Sequence, residues 1–456
     1  MNKHLPIVGV VLSISLVGCE FTSSVVMSPI ALQPAQAPAS VTPSPSPQPD
    51  LVGQALDRGD VAEAVLQIEQ RWKKQYEEYF QGKFTTQVLS APQIVESLEQ
   101  INRRTGRKSA VLYAIPGANH LDLMLVTANG RLIHRRINGA NRAALTKTIQ
   151  AFRMGVVRED SDSGDYLQPG QQLYQWIVAP LEPQLRAQGI NQLVFCLGAG
   201  LRSTPLAALH DGKQFLIEKY NLAIIPAFNL LDRQARTSTN ARILAMGAST
   251  FDNKPPLPGV PIELSAITQP PWEGTALLNQ NFTLKNLKAA RERTPYSIVH
   301  LATHAEFAPG DVNQSYIQFW DQQLRLSQLQ DLGLRNPPVQ LLVLSACRTA
   351  LGDSKAEMGF AGLAVQSGSK AAIASLWSVS DASTLLLMQE FYRQLKTAEV
   401  KADALREAQI EMIRNSAEIR QRLRNQPSFS GIASSINENF AHPHHWAAFT
   451  LIGNPW

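Results

Sequence analysis

The second half of the chain alternates short apolar runs with amphipathic segments, and this alternation constrains the fold more than any other feature. Apolar runs cover residues 297–303, 340–346, 371–377 and 447–452, and helical periodicity marks residues 382–396 and 401–414. Strands that alternate with helices build a mostly parallel sheet with helices on both faces. The sequence therefore predicts an α/β fold of this kind.

Two reactive side chains follow two of these predicted strands. His304 comes directly after the run at 297–303, and Cys347 comes directly after the run at 340–346. In open α/β sheets, ligands bind outside the carboxyl ends of the parallel strands. If the two strands are neighbours, the imidazole and the thiol meet there as a base and a nucleophile. His300, in mid-strand, is predicted to be a core histidine instead.

The residues before this half predict a short helical segment and an antiparallel meander. Asp60 and Glu63 fit a capping box, and apolar residues follow at helical spacing: Val61, Val65, Ile68, Trp72, Tyr76 and Tyr79. A second helix is predicted over residues 91–104. Strands at 111–115, 121–126 and 131–137 are predicted to form the meander, with a turn at Asn129-Gly130.

Three further segments complete the predicted organisation. An amphipathic helix is expected near residues 171–188, and a long polar loop is expected over 415–439. His442, His444 and His445 lie close together before the last predicted strand. Metal binding is one reading of these histidines, and a surface turn is the preferred one.

Composition argues against several classes of protein. The net charge is +5, without a dense Lys/Arg cluster among aromatic residues, so nucleic-acid binding is not expected. The three cysteines, Cys19, Cys196 and Cys347, show no CxxC motif or paired spacing, so no disulfide framework is expected. Cys196 lies inside an apolar run and is predicted to be a buried small hydrophobe. No P-loop, HExxH or GxSxG motif occurs, and neither a metal nor an organic cofactor is expected.

The first residues resemble a bacterial lipoprotein signal. Lys3 precedes an apolar stretch over residues 5–17, which has signal-peptide length and is short for a membrane span. The stretch ends in Leu16-Val17-Gly18-Cys19, which looks like a lipobox whose cysteine is acylated and becomes the first mature residue. We expect residues 1–18 to be a signal peptide and Cys19 to be lipidated. An ordinary secretory signal and a misassigned start codon are the alternatives.

Residues 19–52 are predicted to be a disordered tether. Seven prolines occur between residues 20 and 50, together with many Ser, Ala and Gln, and such a segment forms an extended spacer rather than a packed core. Two or three acyl chains would anchor the protein stably to a membrane. Glu20 follows the cysteine where an Asp would favour the inner membrane, by resemblance to bacterial sorting rules. We therefore expect an extracytoplasmic protein of the cell envelope, anchored to the outer rather than the inner membrane.

Four spaced segments resemble the CHAT domain of the caspase–separase superfamily, the clan CD cysteine peptidases. They are residues 299–304, 344–350, 374–381 and 445–453, and a fifth segment, 201–212, resembles the first half of that domain. The resemblance covers residues 107–456 and implies a caspase-like fold in two parts. The first part would span 107–238 and the catalytic part 239–456, after a helical segment over 53–106.

The resemblance also implies roles for individual residues. His304 would be the base and Cys347 the nucleophile, with the backbone N–H groups of Ala305 and Cys347 forming the oxyanion hole. Asp381 matches a residue that lines the S1 pocket in separases, which implies cleavage after Arg or Lys. The alternative role for Asp381 is the N-cap of the helix that follows.

The sequence departs from the family pattern in ways that leave its activity open. Ala305 stands where relatives usually have Gly, and a Cβ there is costly if the position requires a positive φ. No repeat with a period of about 34 residues precedes the domain. A cysteine endopeptidase acting on a protein substrate is the leading hypothesis. An inactive scaffold or binding module and a redox-sensing Cys347 are the alternatives, and the oligomeric state is left open.

Overall fold

The computed structural model describes residues 50–234, 241–425 and 439–456, apart from the side chains of residues 346, 347 and 422–425. Asp50–Trp456 form one compact unit. The predicted signal peptide, Cys19 and nearly all of the predicted tether lie outside the described residues. Within the described part of the chain, every helix is too short or too polar to cross a bilayer.

Three helices begin the described chain, α1 (Leu51–Asp57), α2 (Val61–Phe80) and α3 (Ala91–Thr105). The Asp60 carboxylate accepts a hydrogen bond from the Glu63 N–H at 3.0 Å, so it caps α2 as predicted. The residues at helical spacing are buried beyond the first turn of α2: Val65, Ile68, Trp72, Tyr76 and Tyr79. The helical segment is therefore part of the core of the compact unit.

The next elements build one end of the sheet. In chain order they are β1 (Ser109–Pro116), β2 (Leu121–Thr127), β3 (Leu132–Ile137), α4 (Arg142–Val157), α5 (Ser163–Ile177), α6 (Glu182–Ala187), β4 (Gln192–Leu197), α7 (Leu216–Lys219) and β5 (Asn221–Ile225). The predicted meander β1–β2–β3 is confirmed, and Gly130 in its turn has a φ of 79°. The helix predicted over 171–188 is wrong in extent, because Pro180 and Pro183 separate α5 from α6.

The rest of the sheet carries the candidate site. Its elements are β6 (Arg242–Gly247), α8 (Val260–Thr268), β7 (Glu273–Leu278), α9 (Leu284–Arg293), β8 (Ile298–Phe307), β9 (Tyr316–Gln318), β10 (Gln323–Arg325), β11 (Leu341–Thr349), α10 (Ser354–Ala361), α11 (Leu363–Ser367), β12 (Ala371–Ser375), α12 (Asp381–Leu395), α13 (Lys401–Arg414), α14 (Ser416–Asn425), α15 (Pro443–Trp446) and β13 (Phe449–Gly453).

The described strands form one continuous sheet. Its order is β10-β9-β8-β11-β12-β13-β5-β4-β1-β2-β3, and β6 pairs with β7 and with β8. Seven of the twelve strand pairs are parallel: β1 with β4, β4 with β5, β5 with β13, β11 with β12, β8 with β11, β6 with β7 and β6 with β8. The predicted mixed α/β fold with a mostly parallel sheet is confirmed.

Two predictions for the last hundred residues are wrong. The loop expected over 415–439 begins with the helix α14, in which Ile419 is buried. The rest of that loop, residues 426–438, lies outside the described residues. The turn expected at the surface near residue 442 is instead buried, and His445 is 0% exposed. Hydrogen bonds from neighbouring elements make this burial tolerable.

The buried histidines have specific partners. The His442 Nε2 atom lies 3.0 Å from the Ser161 hydroxyl, and the His445 Nδ1 atom lies 2.8 Å from the Ser383 hydroxyl. The His444 Nδ1–H donates to the Val157 carbonyl at 2.7 Å. Burial lowers the pKa of His442 to about 4 and that of His445 to about 3. Both imidazoles are therefore neutral in the folded protein near pH 7.

We predict that these histidines make the fold sensitive to acid. A histidine in the unfolded chain protonates near pH 6.5, so below that pH the unfolded state binds more protons than the folded state and stability falls. For His442 alone the loss at pH 5.5 is about 1 kcal/mol. The measurement is the melting temperature of wild type and His442→Asn between pH 7.5 and pH 5.5. The variant should lose less stability across that range, and parallel curves would contradict the prediction.

Candidate active site

The pairing of β8 with β11 brings the two predicted catalytic residues to neighbouring positions. Leu344 of β11 pairs with Leu301 of β8, and Ala346 then pairs with His304. Between these pairs β8 advances three residues and β11 only two, so the ladder contains an irregularity. A bulge of this kind locally changes the direction of side chains and is common beside active sites. As a result Cys347 follows directly after the residue that pairs with His304.

Both strands continue further than the sequence indicated. The strand ends were predicted at residues 303 and 346, whereas β8 extends to Phe307 and β11 extends to Thr349. After the wholly buried run of β8, half-buried and buried residues alternate from His304 to Phe307, which is the pattern of a strand with one exposed face. The short antiparallel strand β9 supports this extension by pairing with Ala305 and Glu306. The candidate site therefore lies within the ladder rather than in loops beyond it.

Ala305 has an ordinary strand conformation. It is 4% exposed and pairs with Cys347 on one side and Ile317 on the other. The described non-glycine residues with positive φ are Gln81 and Asn279, so Ala305 is free of the strain that its Cβ would cause in the left-handed region. The replacement of Gly by Ala at this position is thus compatible with the backbone.

The His304 ring is held by the segment that follows β6. Its Nε2 atom lies 2.8 Å from the Pro255 carbonyl oxygen, and its ring packs against Phe251 with a centroid separation of 4.8 Å. Because a carbonyl oxygen only accepts, Nε2 carries the hydrogen and Nδ1 is the nitrogen that can take up a proton. Pro255 could not be predicted from the sequence, because the group that contacts His304 is a backbone carbonyl.

The surroundings of His304 favour its neutral form. Burial lowers the pKa of this imidazole, and the positive charge of Lys254 lowers it further. The hydrogen bond to Pro255 and the negative charge of Asp381 act in the opposite direction. A neutral imidazole near pH 7 is the form that can accept a proton.

Asp381 is the first residue of α12, and Ser380 is its N-cap. The Ser380 hydroxyl accepts a hydrogen bond from the Ser383 N–H at 3.3 Å, so the alternative role of Asp381 as the N-cap is wrong. The Asp381 carboxylate instead accepts the Gly259 N–H at 2.7 Å. A Cβ at Gly259 would lie 3.2 Å from the Asp381 side chain, so glycine permits this close approach. Burial raises the pKa of Asp381, and the bond from Gly259 partly offsets that effect.

A buried polar cluster lies beside these residues. His300 is fully buried as predicted, with its Nδ1 atom 3.1 Å from the Tyr392 hydroxyl and its Nε2 atom 2.9 Å from a Glu263 oxygen. The second Glu263 oxygen accepts a hydrogen bond from the Ser345 hydroxyl at 3.4 Å. Ser345 lies at the irregularity between β8 and β11, so this cluster links α8 and α12 to the strand that carries Cys347.

An open cavity of about 480 Å³ lies next to the segment that holds His304. Phe251 and Lys254 line it on that side, and Gln318 and Trp320 line it from β9 and the following turn. Trp320 is 42% exposed, which is unusual for a large aromatic side chain. The cavity offers an apolar face and a positive charge beside the imidazole.

Cys196 has the properties of a structural residue. It is fully buried in β4, and burial raises the pKa of its thiol well above the ordinary range. Within the described ranges, no cluster of three or more His, Cys, Asp or Glu side chains has the geometry of a metal site.

Two solved structures are similar to this chain at low sequence identity. The separase of Saccharomyces cerevisiae, crystallised with securin, matches 89% of this chain with 10% identity and a TM-score of 0.45. The chain spans about a third of the separase chain, since the match covers 34% of it. Gingipain R (RgpB) of Porphyromonas gingivalis, an Arg-specific cysteine proteinase, matches 69% of this chain and 74% of its own, with 11% identity and a TM-score of 0.36. No curated protein matches the sequence.

The sequence profile of one family covers most of the chain. The CHAT domain matches residues 167–454, which include α8, α12 and all strands from β4 to β13. The match begins after β1–β3, so the predicted domain start at residue 107 stays a prediction. The protein belongs to the CHAT domain family.

Proposed function

We propose that the protein is a cysteine endopeptidase in which His304 is the base and Cys347 the nucleophile. The observation that carries this proposal is the β8–β11 register, which pairs His304 with the residue immediately before Cys347. The second support is the Pro255 carbonyl, which fixes the imidazole with Nδ1 available as the base. A thiol needs such a base because the thiolate is the reactive species.

The proposed reaction passes through an acyl-enzyme. His304 Nδ1 takes the thiol proton, and the thiolate attacks the carbonyl carbon of the scissile peptide. The tetrahedral oxyanion then collapses to a thioester as the imidazolium gives its proton to the leaving amine. The neutral imidazole next removes a proton from water, which hydrolyses the thioester and restores the thiol. Neither a metal ion nor an organic cofactor takes part in these steps.

The proposal assigns the oxyanion hole to the backbone N–H groups of Ala305 and Cys347. Hydrogen bonds directed at a developing oxyanion are worth about 3 kcal/mol each. Ala305 lies between β11 and β9 and is 4% exposed, so its backbone has to become accessible before an oxyanion can bind there. This requirement makes substrate binding part of the assembly of the site.

The proposal assigns the choice of the residue before the scissile bond to Asp381. Its Oδ2 atom is held by the Gly259 N–H, and no described residue hydrogen-bonds its Oδ1 atom. Its charge also acts on the pKa of His304, so the carboxylate is close enough to the imidazole to interact with it. A carboxylate in a pocket suits the guanidinium of Arg or the ammonium of Lys. The proposed substrate is therefore a protein cleaved after a basic residue.

The second candidate function is that of a catalytically inactive CHAT domain that acts as a scaffold or binding module in the cell envelope. The burial of Ala305 between β11 and β9, where it is 4% exposed, favours it, because a substrate oxyanion needs access to that backbone. This function predicts that Cys347→Ala keeps the biological role intact, whereas the peptidase loses it.

We predict that Cys347 forms a single adduct with an acyloxymethyl ketone that carries Arg or Lys. The ketone reacts with the nucleophile, and the basic side chain binds the pocket assigned to Asp381. Intact mass of the purified protein gives the number of adducts, and peptide mapping gives their position. His304→Ala should abolish labelling. Asp381→Asn should slow labelling by about tenfold or more, since a charge-assisted hydrogen bond is lost.

Two controls make this experiment decisive. Cys196→Ala should label like wild type, because Cys196 is buried. A small thiol alkylator should modify Cys347 in wild type and also in Asp381→Asn. Alkylation without any reaction with the peptidyl ketone would argue for the inactive scaffold, and labelling that survives His304→Ala would contradict the proposed dyad.

We predict that the pKa of His304, measured by NMR titration, lies below 6.5 and responds to its two charged neighbours. Lys254→Gln should raise it by removing a positive charge, and Asp381→Asn should lower it by removing a negative charge. Opposite shifts, or none in either variant, would show that these groups do not act on the imidazole.

We propose that the protein is anchored in the cell envelope through Cys19, with the outer membrane as its site. Acyl chains on Cys19 would make the protein partition with membranes. Cys19→Ser should release it to the soluble fraction on fractionation of the producing bacterium, and Cys196→Ala should not. Unchanged partitioning of Cys19→Ser would refute the lipid anchor.

A further inference from the structure

A cleft lined by cations lies at the amino ends of the strands whose carboxyl ends carry the candidate active site. Its volume is about 720 Å³. Lys370 directly precedes β12 and Arg335 precedes β11, so they lie at the amino ends of these strands. Cys347 and Asp381, by contrast, lie toward the carboxyl ends of the same two strands. The cleft is thus a separate site that the proposed peptidase chemistry does not use.

Its walls come from several separate parts of the chain. The helical segment contributes Lys83 and Arg104, and the chain after β5 contributes Arg233. Together with Arg335 and Lys370 these residues supply five positive charges, while Asp232 is the one carboxylate in the lining. A ligand in the cleft would bridge segments that are far apart in sequence.

Most of this positive charge is not neutralised. Lys370 forms an ion pair with Asp232. In the described part of the chain the remaining four, Lys83, Arg104, Arg233 and Arg335, form no ion pair with a carboxylate. Glu69 lowers the positive potential near Arg233, but its oxygens are buried and accept the N–H groups of Phe228 and Asn229. Like charges that converge on a concave surface concentrate anions there.

The lining favours phosphate over other anions and small ligands over polymers. Three of the five cations are arginines, whose planar guanidinium groups bind phosphate oxygens in pairs. Gln234, Gln330 and Ser369 add uncharged side chains that can donate hydrogen bonds. The volume suits a small molecule. Single-stranded nucleic acid would need several aromatic side chains for stacking, and Phe84 is the one aromatic residue in the lining.

We propose that this cleft binds a small oligophosphate group, carried by a soluble metabolite or by a lipid head group. Binding stabilises the fold because it joins the helical segment, the chain after β5 and the amino ends of β11 and β12. A ligand that binds the folded state alone raises the melting temperature. Its affinity falls with added salt because the attraction is electrostatic.

The test measures the binding of inorganic tripolyphosphate to the full chain, both by calorimetry and by the change in melting temperature. Arg104→Gln/Arg335→Gln removes two exposed cations of the cleft and should weaken binding by about tenfold or more, as expected for two lost charge-assisted contacts. The matched control is Arg131→Gln/Lys288→Gln, which removes the same charge from exposed positions outside the cleft lining. The control should bind like wild type. Equal affinity of all three proteins would overturn the proposal, and so would failure of the wild type to bind both tripolyphosphate and phosphoinositide vesicles.

Two further arms identify the source of the phosphate. Vesicles of phosphatidylcholine with a phosphoinositide test a lipid head group, and free tripolyphosphate tests a soluble one. Binding in either arm that is lost in Arg104→Gln/Arg335→Gln supports the site and names its source. Binding of a hexaglutamate peptide in place of tripolyphosphate would overturn the assignment to phosphate.

Discussion

The candidate site depends on the hydrogen-bonded pairing of β8 with β11. These two strands are central in the sheet, and their pairing is parallel from Leu341 opposite Ile298 to Thr349 opposite Phe307. The extra residue in β8 sets which of its residues pairs with Cys347, and that residue is Ala305. In a regular ladder Thr303 would pair with Ala346 and His304 with Cys347 itself, whereas the irregularity places His304 opposite the residue before Cys347. The irregularity therefore shifts His304 by one position relative to Cys347, and the two residues are neighbours in the register.

Buried polar contacts hold the elements around this pairing. α10, which follows the turn after Cys347, contains Glu357, and its carboxylate lies 3.0 Å from the Arg153 guanidinium of α4. The same carboxylate accepts hydrogen bonds from the Ser203 hydroxyl at 2.6 Å and the Gly200 N–H at 2.8 Å. Both charged groups are buried, so removing either partner would leave an uncompensated charge in the interior. The loop after Cys347 is thereby fixed to the first part of the sheet.

The sequence predicted the strands better than their ends. Runs of Val, Ile and Leu identify buried strands such as β11, because few other structures bury every side chain. The extension of β8 past His304 was missed because its alternating residues resemble a loop until β9 pairs with them. The helix α12 starts one residue earlier than predicted, which gives the capping role to Ser380 rather than Asp381. The burial of the histidines before β13 depends on α4 and α12, which are distant in sequence.

The candidate site was predictable only as far as its side chains carry a pattern. His304, Cys347 and Asp381 follow apolar runs of the sequence in a recognisable order, whereas the Pro255 carbonyl and the Gly259 N–H are backbone groups without a side-chain pattern. Folding brings these two groups to His304 and Asp381, and no local sequence feature predicts these contacts. The cationic cleft was equally unpredictable from the sequence, since its five positive charges come from five separate positions along the chain.

The central claim is that His304 activates Cys347, and the pH dependence of Cys347 alkylation tests it most directly. With Cys19→Ser and Cys196→Ala in the background, Cys347 is the one remaining thiol of the three. The rate of alkylation by iodoacetamide is then measured from pH 5 to pH 10 with His304 and with His304→Asn. The account predicts rapid alkylation at neutral pH that shifts to the alkaline range, near the ordinary thiol pKa of about 8.5, when His304 is replaced. Identical profiles for the two proteins would contradict it.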